Sequence, residues 1–188
     1  TALAEEWDGQ REEILPPSMP VMRLVATAID RVGDALDATV AGFVDYGLSD
    51  LLLYRAEAPP QLVKHQNENW SPVLAWAQER FDLTFNVTGG ILPVDQPAGN
   101  AARLTEIAGR DVFRVAGLAH GASLLGSAIL TLALEAEEIA AEQAHALSNL
   151  DALFQIDEWG ADAEAVERLE QIALDIQALN RYFSALKP

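Results

Sequence analysis

Cysteine is absent from the 188 residues, and several kinds of site are excluded with it. A chain without cysteine has no disulfide, no zinc–thiolate site and no cysteine nucleophile. Basic residues are also scarce, since 12 Lys and Arg stand against 29 Asp and Glu and leave a net charge of −17. A surface of that sign repels phosphate groups, so we do not expect a nucleic acid partner.

Signatures of catalysis are missing as well. The sequence contains no phosphate-binding loop, no nucleophile elbow and no dinucleotide-binding glycine pattern. Paired acids such as Glu137 and Glu138 lie in an acidic run, and nothing in the sequence sets a base beside a nucleophile. We therefore predict a binding protein that needs no cofactor, and not an enzyme.

One pair of residues has the spacing of metal ligands. Glu142 and His145 form a Glu-x-x-His motif, which occurs in the carboxylate-bridged metal sites of helical bundles. Such sites need a second copy of the motif, but neither His65 nor His120 has an acid three positions earlier. The sequence favours a solvated helix face at this position. A metal-dependent oxidase that uses Glu142 and His145 is the alternative function.

A long uncharged segment runs through the middle of the chain. Residues 115–134 contain no Asp, Glu, Lys or Arg, which is enough length for a membrane span, and Gly117 and Gly121 form a GxxxG pair. His120 within the segment and the acidic residues that follow it argue against insertion. We expect a buried central helix, broken near Gly126, and no stable membrane insertion.

The spacing of apolar residues predicts a mainly α-helical, compact multi-helix domain over residues 1–188. A helix start signal occurs at Pro59 or Pro60 and again at Ser71-Pro72, so two short helices joined by a bend are expected there, with Trp76 in the core. Residues 84–94 combine β-type side chains with a glycine turn and predict a small β-hairpin.

A helix hairpin is expected at the end of the chain. Gly160 has the position of a residue that ends the first helix, and Asp162 has that of a cap for the second. The apolar seam of the last helix is short, which favours pairing within one chain over a dimeric coiled coil. We therefore expect a monomer.

A dispersed motif runs along the middle of the chain. Its members are, in order, Asp50, Leu52, Tyr54, Arg55, Ala56, Pro59, Leu62, Gln66, Trp70, Pro72, Trp76, Val87, Thr88, Gly90, Ile91, Pro93, Val94, Gln96 and Pro97. The motif resembles that of the F-type ATP synthase assembly chaperones, in the branch whose client is the alpha subunit of the catalytic head. The similarity extends from about Met19 to Gly160. Leu53 and Ser71 depart from the family pattern, which often has cysteine and aspartate there.

The resemblance implies both a function and a setting. The protein would be an ATP-independent chaperone that binds the unassembled alpha subunit and covers the surface later used against the beta subunit. A small β-rich domain would precede residue 1 and be absent from this chain. The expected location is the bacterial cytoplasm, or the mitochondrial matrix if the source is eukaryotic.

Five residues are candidates for client binding. Arg55, Gln66 and Trp70 belong to the motif, and Glu158 and Trp159 lie at the tip of the predicted helix hairpin, where an aromatic residue beside a carboxylate can anchor a partner.

Each group of candidates also has a structural alternative. Arg55 can form an ion pair with Asp50 or Glu57, and Trp159 can pack the tip of the hairpin. The amide of Gln66 can either satisfy the backbone that is interrupted around Pro72 or bind a strand of a partner.

Overall fold

The computed structural model describes residues 2–187 and consists almost entirely of helices. The ten α-helices in this range are α1 (Ala2–Asp8), α2 (Pro20–Thr27), α3 (Leu36–Leu48), α4 (Pro60–Phe81), α5 (Gly99–Ala108), α6 (Val112–Leu125), α7 (Ala128–Glu135), α8 (Ala141–Ser148), α9 (Leu150–Trp159) and α10 (Ala163–Leu186). Short 3-10 turns at Pro16–Ser18 and Leu51–Leu53 and a π-helical turn at Ala28–Val32 complete the helical structure. The predicted mainly α-helical fold is confirmed.

Helix α6 lies at the centre and packs against α2, α3, α7 and α10. The glycines of its GxxxG pair make this packing possible. A Cβ atom at Gly117 would lie 2.7 Å from Phe183 Cε1, and one at Gly121 would lie 3.0 Å from Leu179 Cδ2. Larger side chains at these positions would push α10 away from α6. The uncharged segment is therefore the buried centre of the fold, as predicted.

The same segment is interrupted at Gly126, which confirms the predicted break. Gly126 has φ +64 and ends α6 in the left-handed region that favours glycine. Ser127 follows, and its hydroxyl accepts a hydrogen bond from the third backbone amide of α7 at 2.9 Å. No helix among residues 2–187 combines the length and apolar character that crossing a membrane requires.

Helix α4 differs from the prediction at Pro72. The two short helices expected around Ser71-Pro72 are one continuous helix of 22 residues with Pro72 inside it. Pro72 is exposed, so water can reach the carbonyl that loses its helical hydrogen bond. Buried Trp70 and Val73 lie on either side of the proline in sequence, and their packing holds both halves in one helix.

The β-hairpin predicted at residues 84–94 is wrong. The described residues contain two short strands, β1 (Tyr54–Arg55) and β2 (Thr88–Gly89), and they pair in parallel, with Tyr54 opposite Thr88. The turn signal at Gly89-Gly90 predicted pairing between neighbouring segments. The actual partner of β2 lies more than thirty residues earlier in the chain. A sequence pattern specifies strand-forming residues but not a distant partner.

The helix end predicted at Gly160 and the cap predicted at Asp162 are confirmed, but the first helix of the predicted hairpin is divided in two. Gly160 ends α9 at φ +88, and the Asp162 carboxylate accepts a hydrogen bond from Ala165 N at 2.8 Å to cap α10. Helix α10 packs against α8, the first part of the predicted hairpin, and also against α6 and α2. The expected first helix of the hairpin is divided at Asn149, whose side chain donates to the His145 carbonyl at 3.0 Å and ends α8.

Candidate functional site

Three of the predicted client-binding residues lie together in one buried cluster. Arg55 at the end of β1 donates from Nη1 to the Gln66 carbonyl at 2.6 Å. Its guanidinium carbon also lies 5.1 Å from the centre of the Trp70 ring, in cation–π geometry. All three side chains are buried. These three members of the dispersed motif therefore meet in space, although they are separated along the chain.

Gln66 joins three elements of the fold. Its Oε1 accepts a hydrogen bond from Ala56 N at 2.7 Å, and its Nε2 donates to Asp151 Oδ1 at 2.8 Å. The side chain thus connects α4 to the segment after β1 and to the first turn of α9. Both groups of the amide are satisfied, as a buried glutamine requires. Gln66 therefore does not serve the backbone around Pro72, which was one of its two alternatives.

Trp70 fixes α4 against α8. Its indole Nε1 donates to the Leu147 carbonyl at 3.0 Å, and the ring is almost fully buried. Trp76, which we expected in the core, is half-buried and packs edge-on against Phe81 at 5.3 Å between ring centroids. Trp70 is therefore the more deeply buried of the two, while Trp76 packs against the edge of the core.

Arg55 is a buried cation with little compensation. Neither the Asp50 nor the Glu57 ion pair considered above is formed, and Arg55 has no ion pair with any carboxylate among the described residues. The Nε atom of Arg55 also lacks a hydrogen-bond partner among the described residues. Burial lowers the pKa of the guanidinium from its usual value. The Trp70 ring and the Gln66 carbonyl are the groups that stabilise its charge.

Asp50 and Asp151 hold this region in place, although the sequence suggested neither role. Asp50 is fully buried, and its carboxylate accepts hydrogen bonds from Leu52 N and Ile129 N, both at 3.0 Å. It therefore connects the turn before β1 to the start of α7. Asp151 receives the Gln66 amide. An acidic residue at a helix start is a recognisable signal in sequence, but its distant partner is not.

Glu158 and Trp159 lie at the C-terminal end of α9, and both are exposed. Trp159 has 78% of its surface accessible, which is unusual for the largest apolar side chain. Trp159 therefore does not pack the tip of the hairpin, which was its structural alternative. The structure separates this pair from the buried cluster by the length of α9, while Asp151 links the start of that helix to Gln66.

The part of the chain that contains Trp159 is strongly acidic. Residues 135–175, which span α8, α9 and the first half of α10, contain twelve Asp and Glu but a single basic residue, Arg168. This stretch carries well over half of the net charge of the chain. An exposed aromatic ring flanked by carboxylates is suited to a partner that offers an apolar pocket with basic residues around it.

The Glu142 and His145 pair does not form part of a larger ligand set. His145 Nε2 lies 3.0 Å from the Leu169 carbonyl of α10, so this nitrogen is engaged within the fold. Within residues 2–187 no group of three or more His, Cys, Asp or Glu side chains is placed to hold a metal ion. The geometry accounts for His145 as a contact between α8 and α10.

Comparison with known proteins agrees with this arrangement. Residues 1–78 match the family model described as ATP12 chaperone protein. The crystal structure of Atp12 from Paracoccus denitrificans is 37% identical, covers 99% of this chain and 80% of its own, and superposes with a TM-score of 0.93. A candidate chaperone from Agrobacterium tumefaciens is 38% identical, with 99% and 72% of the two chains covered and a TM-score of 0.91. The chain belongs to the ATP12 chaperone family, the F-type ATP synthase assembly chaperones that its dispersed motif resembles.

Proposed function

We propose that this chain binds the unassembled alpha subunit of F-type ATP synthase, without ATP, and shields its subunit interface until the beta subunit arrives. Family membership supports the assembly role, and the identity of the client comes from the resemblance in the motif. The chaperone would act where the catalytic head assembles, in the bacterial cytoplasm or the mitochondrial matrix.

The observation that carries the proposal is exposed Trp159 among the acidic residues of segment 135–175. An aromatic side chain that becomes buried at an interface contributes a large part of the binding energy, and surrounding charges increase the association rate. Glu158, its neighbour, extends the negative surface. We propose this end of α9 as a contact with a basic, partly apolar surface on the alpha subunit.

Arg55, Gln66 and Trp70 take a supporting role in this proposal. Their side chains are buried and connect β1, α4, α8 and α9, so they position the surface and expose little area for direct contact. In chaperone action of this kind, affinity must remain weaker than that of the native subunit contact, so that the beta subunit can displace the chaperone.

The first test is binding and protection of isolated alpha subunit. The chain should bind purified alpha subunit in calorimetry and suppress its aggregation at a near-stoichiometric ratio without nucleotide. Release should follow when purified beta subunit is added. If the chain neither binds the alpha subunit nor suppresses its aggregation, the proposed function is wrong.

The second test concerns the end of α9. Trp159→Ala should weaken binding by about 30-fold, equivalent to about 2 kcal/mol, because an interface aromatic would be lost. Trp7→Ala is the matched control, since Trp7 is also an exposed tryptophan but lies on α1. Equal affinities for the two variants would remove Trp159 from the contact surface.

The supporting cluster is tested with two glutamine variants of α4. Gln66→Ala leaves Asp151 and the Ala56 amide without their partner, so it should lower both thermal stability and affinity for the alpha subunit. Gln78→Ala, an exposed control on the same helix, should change neither. A Gln66→Ala variant that is less stable but binds normally well below its Tm would show that the cluster supports the fold alone.

A further inference from the structure

Residues 86–96 form a loop that is closed at its base by two side-chain amides, and we call it the clasped loop. The Gln96 Oε1 accepts from Asn86 N at 3.0 Å, and the Gln96 Nε2 donates to the Asn86 carbonyl at 2.9 Å. The Asn86 side chain in turn donates to the Asp95 carbonyl at 2.8 Å. These bonds imitate the rung of a β-ladder and hold the two ends of the loop together.

The clasped loop is also attached to the body of the protein. Strand β2 lies within it and pairs with β1, so that Arg55 stands opposite Gly89, and Gly90 N donates to the Arg55 carbonyl at 2.8 Å. Gly90 has φ +75, a left-handed conformation that favours glycine, and it lies between β2 and the tip of the loop. The side chain of Arg55 thus attaches β1 to α4, and the backbone of Arg55 attaches the loop to β1.

The tip of the clasped loop presents apolar side chains to solvent. Ile91 is 92% exposed and Leu92 is 75% exposed, and exposed Pro93 follows them. Proline restricts the backbone, and the amide clasp restricts the loop ends, so the tip loses little conformational freedom when it binds. Two adjacent aliphatic side chains held outward on a restrained loop have the properties of a binding element.

We propose that Ile91 and Leu92 insert into an apolar pocket of the alpha subunit, as a contact additional to that of Trp159. This inference rests on the proposed function. The net charge of the chain argues against two other partners for the tip. A second copy of the chain would bring together two molecules of net charge −17, and an anionic membrane would repel the same charge. Asp95 and Glu57, beside the tip and beside Gly89, fit a pocket with basic residues at its rim.

The chain contains a matched control for this element. Ile14, Leu15 and Pro16 repeat the Ile-Leu-Pro sequence of the tip, and Ile14 and Leu15 are 58% and 57% exposed. This second copy is not in the clasped loop. The variants I91S/L92S and I14S/L15S therefore remove the same two side chains from two exposed sites, and neither change empties a core position.

The experiment measures the Kd for purified alpha subunit by calorimetry. We expect I91S/L92S to raise Kd by about 10- to 100-fold, which corresponds to about 1.4 to 2.8 kcal/mol, with unchanged Tm. I14S/L15S should bind like the wild type. Gln96→Ala keeps both tip side chains but opens the clasp, and we expect its Kd to rise about threefold to tenfold.

The outcomes separate this inference from the proposed function. If wild type binds the alpha subunit and I91S/L92S binds equally well, or if both double variants weaken binding to the same extent, the tip is not the contact although the function stands. Loss of binding by the wild type itself would instead reject the function. Self-association, or binding to vesicles of anionic phospholipid, that depends on Ile91 and Leu92 would overturn the choice of occupant.

Discussion

Single buried polar residues decide how the segments of this chain meet. Asp50 connects a 3-10 turn to the start of α7, and Gln66 connects α4 to α9. The sequence singled out Gln66 through the dispersed motif, but it gave no partner for its amide. Arg55 had two nearby carboxylates in sequence, yet its guanidinium contacts a carbonyl and an indole ring. Such partners depend on the tertiary fold, because they lie far away along the chain.

Asp50 makes stability depend on pH. Burial raises the pKa of its carboxyl to about 6 from the usual 3.8, although hydrogen bonds from the Ile129 amide and other groups oppose the shift. Between pH 3.8 and about 6, the Asp50 carboxyl is therefore protonated in the folded state but ionised in the unfolded state. This contribution to stability is complete below pH 3.8 and is lost as the pH rises through about 6, a change of about 3 kcal/mol.

Urea unfolding at pH 4, 5, 6 and 7 tests this dependence. Asp50→Asn carries no charge at any of these values, so the free energy of unfolding of the wild type should fall relative to the variant as pH rises. Asp45→Asn, an exposed aspartate on α3, serves as the control and should follow the wild type. Parallel pH profiles for wild type and Asp50→Asn would contradict the assignment.

At the scale of elements, close packing of α6 organises the domain. The GxxxG pair and the break at Gly126 were visible in the sequence, and both predictions are confirmed. Pro72 was a misleading signal. Local propensity predicted a helix start at this residue, but the buried residues before and after it keep α4 as one long helix. The parallel pairing of β1 and β2 could not be predicted either, since two-residue strands contain too little pattern to define a register.

Two glycine substitutions, one at a crowded position and one at an open position, test the packing of α6. Gly121→Ala should destabilise the protein by about 1 to 3 kcal/mol, because the added methyl group would contact Thr131 and Leu179. Gly42→Ala in α3 is the control, since an added Cβ there meets nothing within 4 Å. It should stabilise the protein by about 0.5 to 1 kcal/mol through its better helix propensity. Thermal unfolding of both variants checks the signs, and a stabilising Gly121→Ala would contradict the close approach.

For the whole molecule, charge is the property that bears most directly on partner choice. The net charge of −17 is concentrated in the segment that contains Trp159, whereas the tip of the clasped loop is apolar. The two proposed contacts therefore differ in physical character. Electrostatic attraction acts on the association rate and weakens with salt, while burial of aliphatic side chains depends little on ionic strength.

Salt dependence distinguishes the two contacts. The Kd for the alpha subunit should rise about tenfold between 50 and 500 mM NaCl, mainly through slower association. A Glu158→Gln/Glu164→Gln variant should have a smaller dependence on salt than the wild type. I91S/L92S should bind more weakly at every salt concentration but keep the slope of the wild type. Surface plasmon resonance gives both quantities, and an affinity independent of salt would exclude the acidic surface from binding.

The sequence by itself determined the helical class, the buried uncharged centre, the helix end at Gly160, the helix cap at Asp162 and the chaperone family. These features depend on local propensity, apolar spacing and residue types that recur in order. The tertiary structure alone decided that Arg55, Gln66 and Trp70 form one buried cluster, that Trp159 is exposed, and that the clasped loop holds Ile91 and Leu92 in solvent. The physical reason is that burial and hydrogen-bond partners arise from contacts between residues far apart in the chain, which no local pattern records.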